Sequence, residues 1–189
     1  MKCALFLAEG YEECEALITV DMLRRANVDI DMISITSLDM VKSSHNIEIK
    51  ADKTWNEFNQ DDYDVLILPG GKLGTHNLEH FEPLIEAIKA HYASGKLLAA
   101  ICAAPSIFGH LGLLKDKKYT CFPTFNEEAF AGTYEEKLAV YDSGIVTGRG
   151  MGATIEFARI LVKLLTNGEM TDNVDFGIQY EHRFQELTK

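Results

Sequence analysis

The chain has 189 residues, 47% of them apolar and 25% charged, as in an ordinary soluble globular protein. Its 18 lysines and arginines face 29 aspartates and glutamates, a formal charge of -11, and no basic run occurs anywhere. That balance argues against nucleic acid and anionic membrane as main partners, because both require clustered positive charge.

Strand-like and helix-like segments alternate along the chain. Lys2 to Leu7 reads as a strand, too short an apolar run for a signal peptide and followed at once by Glu9, Glu12 and Glu13. Glu13 to Ala26 reads as a helix with an apolar face of Leu17, Val20, Met22 and Leu23, and with Arg24 and Arg25 at its C-terminal end. Asp29 to Ile35 is a second strand, and Val41 to Ala51 alternates like a hairpin or edge strand. Val65 to Leu68 is a continuous apolar run, the mark of a parallel strand buried on both faces. His80 to Ser94 reads as a helix closed by Gly95, and Leu97 to Ile101 as another buried strand. Helical spacing returns from Ile107 to Leu114. Tyr119 to Phe122 is a short strand and Asn126 to Phe130 a short helix. Ala139 to Tyr141 and Ile145 to Thr147 flank Asp142-Ser143-Gly144, a hairpin turn. Thr154 to Leu165 and Met170 to Gln179 supply the last helices, before a polar tail. Such alternation implies β-α-β units in one α/β domain over residues 1–189, with a mostly parallel sheet covered on both faces. No stretch approaches the roughly 20 apolar residues of a membrane span. A cytoplasmic protein is expected.

The chemistry concentrates at strand ends, where ligands bind in such sheets. The strand Leu97–Ile101 stops at Cys102, and Ala103-Ala104-Pro105-Ser106 leads into a helix. A strand, a sharp turn and a helix form a nucleophile elbow, which demands strained backbone with positive φ. The nearby helix N-terminus predicts a lowered thiol pKa. The plainer alternative is a buried structural cysteine. The strand Val65–Leu68 ends at Pro69-Gly70-Gly71, either a simple turn or a set of bare amides suited to an oxyanion. Three acids, Glu12, Glu13 and Glu15, crowd the start of the first helix, where acids are favoured anyway, and spacing does not choose among them. Cys3, Cys14, Cys102 and Cys121 lack zinc-like spacing and are expected to be reduced. Histidines 45, 76, 80, 91, 110 and 182 are scattered. His76 and His80 share an i, i+4 spacing without the acid of a zinc-protease pattern, so no metal site is expected. No cofactor motif appears.

Gly10-Tyr11-Glu12-Glu13-Cys14-Glu15, Leu68-Pro69-Gly70-Gly71, Ala100-Ile101-Cys102-Ala103-Ala104-Pro105, and Gly148-Arg149-Gly150 leading into Thr154-Ile155-Glu156-Phe157-Ala158 follow one another in order. Together they resemble the DJ-1/PfpI superfamily, also called ThiJ-like, over Lys2 to about Leu165. The resemblance implies a flavodoxin-like three-layer sandwich related to class I glutamine amidotransferase domains, usually a homodimer. It implies that Cys102 is the reactive cysteine, that Glu15 is the acid bonded to its sulfur, and that Gly71 and the backbone of Ala103, with Gly70 alongside, form the oxyanion or substrate pocket. It further implies cofactor-free glyoxalase or deglycase chemistry on small aldehydes or glycated adducts, with redox sensing by cysteine oxidation as the alternative. The thiamine-precursor role suggested by the ThiJ name finds no phosphate-binding motif here. Two positions depart from the family. Ala103 stands where protease-like members carry a histidine, and Phe122 stands where many DJ-1-like members carry one before a proline. Peptide hydrolysis is therefore not expected. His76 is left as a possible base and Cys121 as a possible neighbour of Cys102.

Overall fold

The computed structural model describes residues 1–181. Its elements in chain order are β1 (Lys2–Leu7), α1 (Glu13–Arg25), β2 (Asp29–Ser34), β3 (Met40–Lys42), β4 (Glu48–Lys50), β5 (Lys53–Thr54) and β6 (Val65–Leu68). There follow α2 (Lys72–Glu79), α3 (Glu82–Ala93), β7 (Leu97–Ile101), α4 (Pro105–His110), β8 (Lys118–Tyr119), β9 (Thr133–Tyr134), β10 (Ala139–Asp142) and β11 (Ile145–Gly148). The chain closes with α5 (Thr154–Leu165) and α6 (Thr171–Gly177).

Seven strands form the central sheet in the order β10-β11-β7-β6-β1-β2-β5. All neighbours are parallel except β10, which pairs antiparallel with β11 across the turn at Ser143 and Gly144. The central strands β1, β6, β7 and β11 are buried on both faces because each face has its own core. Along β1, Cys3, Leu5 and Leu7 face one cluster, which also holds Ala16, Val20 and Leu23 of α1 and Phe157 and Leu161 of α5. Ala4 and Phe6 face the other, with Leu78 of α2, Leu84 and Ile88 of α3 and Ile107 and Phe108 of α4. The result is the expected three-layer α/β sandwich. Among the described residues no helix is long and apolar enough to cross a membrane.

The sheet also fixes where the chemistry sits. β1 lies between β2 and β6, so the strand order reverses beside it. The carboxyl ends of β1, β6 and β7 therefore border the crevice that such a reversal opens.

Two expectations are corrected. The helix read from His80 begins at Glu82 as α3, and α2, Lys72–Glu79, precedes it in a segment where no helix was expected. The helix read to Leu114 stops at His110. His182 lies outside the described residues.

Candidate active site

Cys102 follows the last residue of β7 with φ 65, the left-handed backbone that a nucleophile elbow requires. For a non-glycine residue such a conformation costs on the order of 1–3 kcal/mol, so neighbours must hold it. They do so from both sides: Cys102 N–H donates to Gly148 O at 2.9 Å, and Cys102 O accepts from Phe122 N–H at 2.7 Å. Behind it, Ser106 Oγ donates to Ala103 O at 2.8 Å and Pro105 opens α4, where a missing N–H costs nothing.

The three acids of the first helix separate completely. Glu12 caps α1, its Oε2 accepting from Glu15 N–H at 2.9 Å. Glu13 turns to His45, 2.8 Å from its Nδ1, and to Ser44. Glu15 alone turns inward. It is 1% exposed, accepts the Gly70 N–H on Oε2 at 2.8 Å, and is a hydrogen-bonding neighbour of the Cys102 thiol. Its Oε1 is buried with no hydrogen-bond partner. A buried carboxylate oxygen without a donor is unfavourable, which favours the protonated carboxyl. Burial accordingly raises Glu15 to about 7, against the Gly70 N–H and the Cys102 thiol, which pull it down.

The glycines of β6's end shape the rest. At Gly70 a Cβ would lie 2.6 Å from both Cys102 Cβ and Glu15 Oε2, so any side chain there would wedge acid and thiol apart. Gly71 has φ 87, and a Cβ would meet Gly10 O at 2.3 Å. Its N–H and that of Ala103 are directed at the sulfur. Two backbone donors near one sulfur favour negative charge there. The Gly70 N–H is engaged by Glu15.

The lowered pKa expected for Cys102 is overturned. Burial, then the charge of Glu15 and its hydrogen bond, push the thiol up to about 12, and the Gly71 and Ala103 amides offset only part of this. Acid and thiol titrate as a pair. The first proton leaves near the Glu15 value and the second only in strong alkali.

The surroundings of two further residues are distinct. The His76 ring packs against His80 at 4.0 Å on α2, with His76 exposed. Cys121 is fully buried in the core of the α3 and α4 face, whereas Cys102 packs against the opposite core. Among the described residues one cluster sets three potential ligand atoms close together, Glu12, Glu13 and His45. Glu12 is already a helix cap and Glu13 is paired with His45.

Comparison with known proteins agrees with this architecture. An Arabidopsis thaliana protein, "Protein DJ-1 homolog B", is 38% identical over 170 residues, covering 89% of this chain, and the chain spans only 39% of that relative's length. A Caenorhabditis elegans protein named "Glutathione-independent glyoxalase DJR-1.2" is 29% identical over 177 residues, covering 92% of this chain and 94% of the relative. The solved structure "Toxoplasma gondii DJ-1, oxidized" superposes with a TM-score of 0.90 at 32% identity, covering 96% of this chain and 99% of that one. The model of the DJ-1/PfpI family matches residues 1–164, and the chain therefore belongs to the DJ-1/PfpI family.

Proposed function

We propose that the protein is a cofactor-free glyoxalase-type enzyme acting on small 2-oxoaldehydes, or on the related adducts of protein glycation, as a homodimer in the cytoplasm. The observation that carries this reading is the Glu15 carboxyl, buried against Cys102 and raised to about 7. A carboxyl with a pKa near the working pH serves in turn as base and acid. The name of the Caenorhabditis elegans relative supports the same reading.

The reaction needs nothing beyond these groups and water. Ionised Glu15 takes the thiol proton as the sulfur bonds to the aldehyde carbon, and the Gly71 and Ala103 amides hold the developing oxyanion. Returning that proton to the oxygen gives a hemithioacetal. Glu15 then removes the proton on the former aldehyde carbon, the hydroxyl proton passes to the ketone oxygen, and the adjacent carbon is protonated. The first carbon is oxidised and the second reduced, which yields a 2-hydroxyacyl thioester. Water cleaves the thioester, releasing the 2-hydroxy acid and restoring the thiol. The net change is addition of one water. The test is lactate formation from methylglyoxal without glutathione, followed by NMR. Loss of lactate in both Cys102→Ser and Glu15→Gln is expected, and undiminished lactate in either variant refutes the assignment.

A second reading, redox sensing, is favoured by the unpartnered Oε1 of Glu15 and by the oxidised relative. Peroxide would convert the thiol first to a sulfenic acid and then to a sulfinate, one water leaving at each step, with protonated Glu15 donating to the sulfinate oxygen. Mass spectrometry of Cys102 after peroxide treatment, run beside the lactate assay, separates the two.

A further inference from the structure

The segment between β11 and α5 passes beside the sulfur. A Cβ on Gly150 would lie 3.9 Å from Cys102 Sγ and 3.4 Å from Phe122 Cδ2. The bare glycine thus keeps an open passage between the thiol and the phenyl ring. Gly150 and Phe122 also line a shallow cavity of about 480 Å³, with Pro123, Leu138, Met151 and Arg149. Phe122 is 46% exposed, and Leu138 and Met151 are each 54% exposed. Single exposed apolar residues are ordinary on a protein surface. Three that share one cavity, lined also by the Gly150 that neighbours Cys102 Sγ, suit a binding surface.

The Phe122 ring is held in place for such a role. Its N–H donates to Cys102 O, which ties the ring's backbone to the nucleophile's, and its edge packs on Phe125 with centroids 6.3 Å apart. A substrate whose aldehyde carbon reaches Sγ must direct its other substituent somewhere. The passage over Gly150 gives that substituent an apolar wall. A methyl group would leave most of the cavity in water, whereas an aromatic ring would cover Phe122 and Met151.

We propose that this shelf is the subsite for the substituent of the carbonyl substrate, and that Phe122 selects 2-oxoaldehydes bearing an aromatic or branched alkyl group over methylglyoxal. The inference rests on the reading of Cys102 and Glu15 given above. Phe122 is a specificity residue in it and takes no part in proton transfer.

The test compares phenylglyoxal with methylglyoxal in the wild type, Phe122→Ala and Phe122→Leu. All three keep the backbone bond to Cys102. The ratio of kcat/KM values, aryl over methyl, is expected to fall about tenfold in Phe122→Ala, through a raised KM for the aryl substrate, and to recover in part in Phe122→Leu. Any loss on methylglyoxal is expected to be smaller than the loss on phenylglyoxal. An equal loss on both substrates means a structural role and overturns the proposal, as does an unchanged ratio. Sedimentation velocity is run alongside. If Phe122→Ala dissociates the protein while the ratio holds, the shelf is a contact between copies and the proposal fails. If the wild type turns over neither substrate, the glyoxalase reading fails, and the shelf is tested by alkylating Cys102 with phenyl or methyl vinyl ketone. A phenyl preference that Phe122→Ala removes upholds the subsite, and equal effects of the substitution on both reagents overturn it.

Discussion

Replacing Glu15 by glutamine isolates the energetic consequence of burying an acid beside the nucleophile. Burial lifts the Glu15 carboxyl from an ordinary 4.5 to about 7, and the residue is 1% exposed, so solvent screening is slight. A group whose pKa is raised by folding stabilises the native state fully below its unfolded value and loses that contribution as pH rises through the folded value. The gap from 4.5 to about 7, at about 1.4 kcal/mol per pH unit, is about 3 kcal/mol. The glutamine side chain of Glu15→Gln carries no charge at any pH. Its amide retains an acceptor for the Gly70 N–H and a donor for the sulfur. Stability of the variant relative to the wild type is therefore expected to rise by about 3 kcal/mol between pH 4.5 and 8, mostly between 5 and 7. Groups common to both proteins cancel in the difference. Cys102, raised from 9.0 to about 12, contributes pH dependence only above 9. The assay is urea unfolding of both proteins across this range, comparing midpoints at constant slope. Parallel stability curves would show that Glu15 is ionised in the native state at pH 5 and would refute the assignment.

The same pair predicts the behaviour of the thiol. Alkylation of Cys102 by a neutral haloacetamide should rise about tenfold per pH unit below 7 and then level, with Cys3 and Cys121 unreactive because they are fully buried. A rate flat from pH 5 to 8 would restore the low pKa inferred from the sequence. Gly71→Ala places a side chain at φ 87 and 2.3 Å from Gly10 O, so a loss of at least about 2 kcal/mol is expected by urea unfolding. A variant as stable as the wild type would mean that the 71–74 turn relaxes freely. No release from a fluorogenic peptide is expected, because Ala103 and Phe122 leave the thiol without a histidine to protonate a departing amine. Peptide cleavage that vanishes in Cys102→Ser would contradict this.

The central strands β6 and β7 were legible because each is buried on both faces and reads as an unbroken apolar run. β1, β6, β7 and α5 begin and end where the sequence placed them. α2 was not legible. Its glycines and polar residues look like loop, yet Gly74 is bare so that the helix can approach Tyr11, where a Cβ would stand 2.7 Å from its backbone. The elbow at Cys102 was readable from the abrupt change between Ile101 and Pro105. The partner of that cysteine was not readable from spacing. Glu12, Glu13 and Glu15 differ only in rotation about α1, and what Glu15 meets is an amide 55 residues away. The direction of the thiol's pKa failed for a related reason. The helix N-terminus is a local feature, whereas the burial that overrides it comes from the packing of the whole sheet.

A thiol held up by burial changes how the site must work. A preformed thiolate would attack any electrophile that reached it. Here sulfur and carboxyl hold one proton between them above about pH 7, so the nucleophile is generated only as Glu15 accepts the thiol proton. The reaction best served is one in which that proton is needed again at once, on the oxygen formed by the same attack. Addition to an aldehyde meets the condition: one proton leaves sulfur and arrives at an alkoxide beside it, and the Gly71 and Ala103 amides steady the charge between the two events. Amide cleavage does not, since the proton must travel to a nitrogen on the far side of the tetrahedral carbon, and Glu15 is fixed beneath the sulfur by the Gly70 N–H. Under the proposed function, the burial that makes the cysteine a poor thiolate thus favours carbonyl addition over amide cleavage.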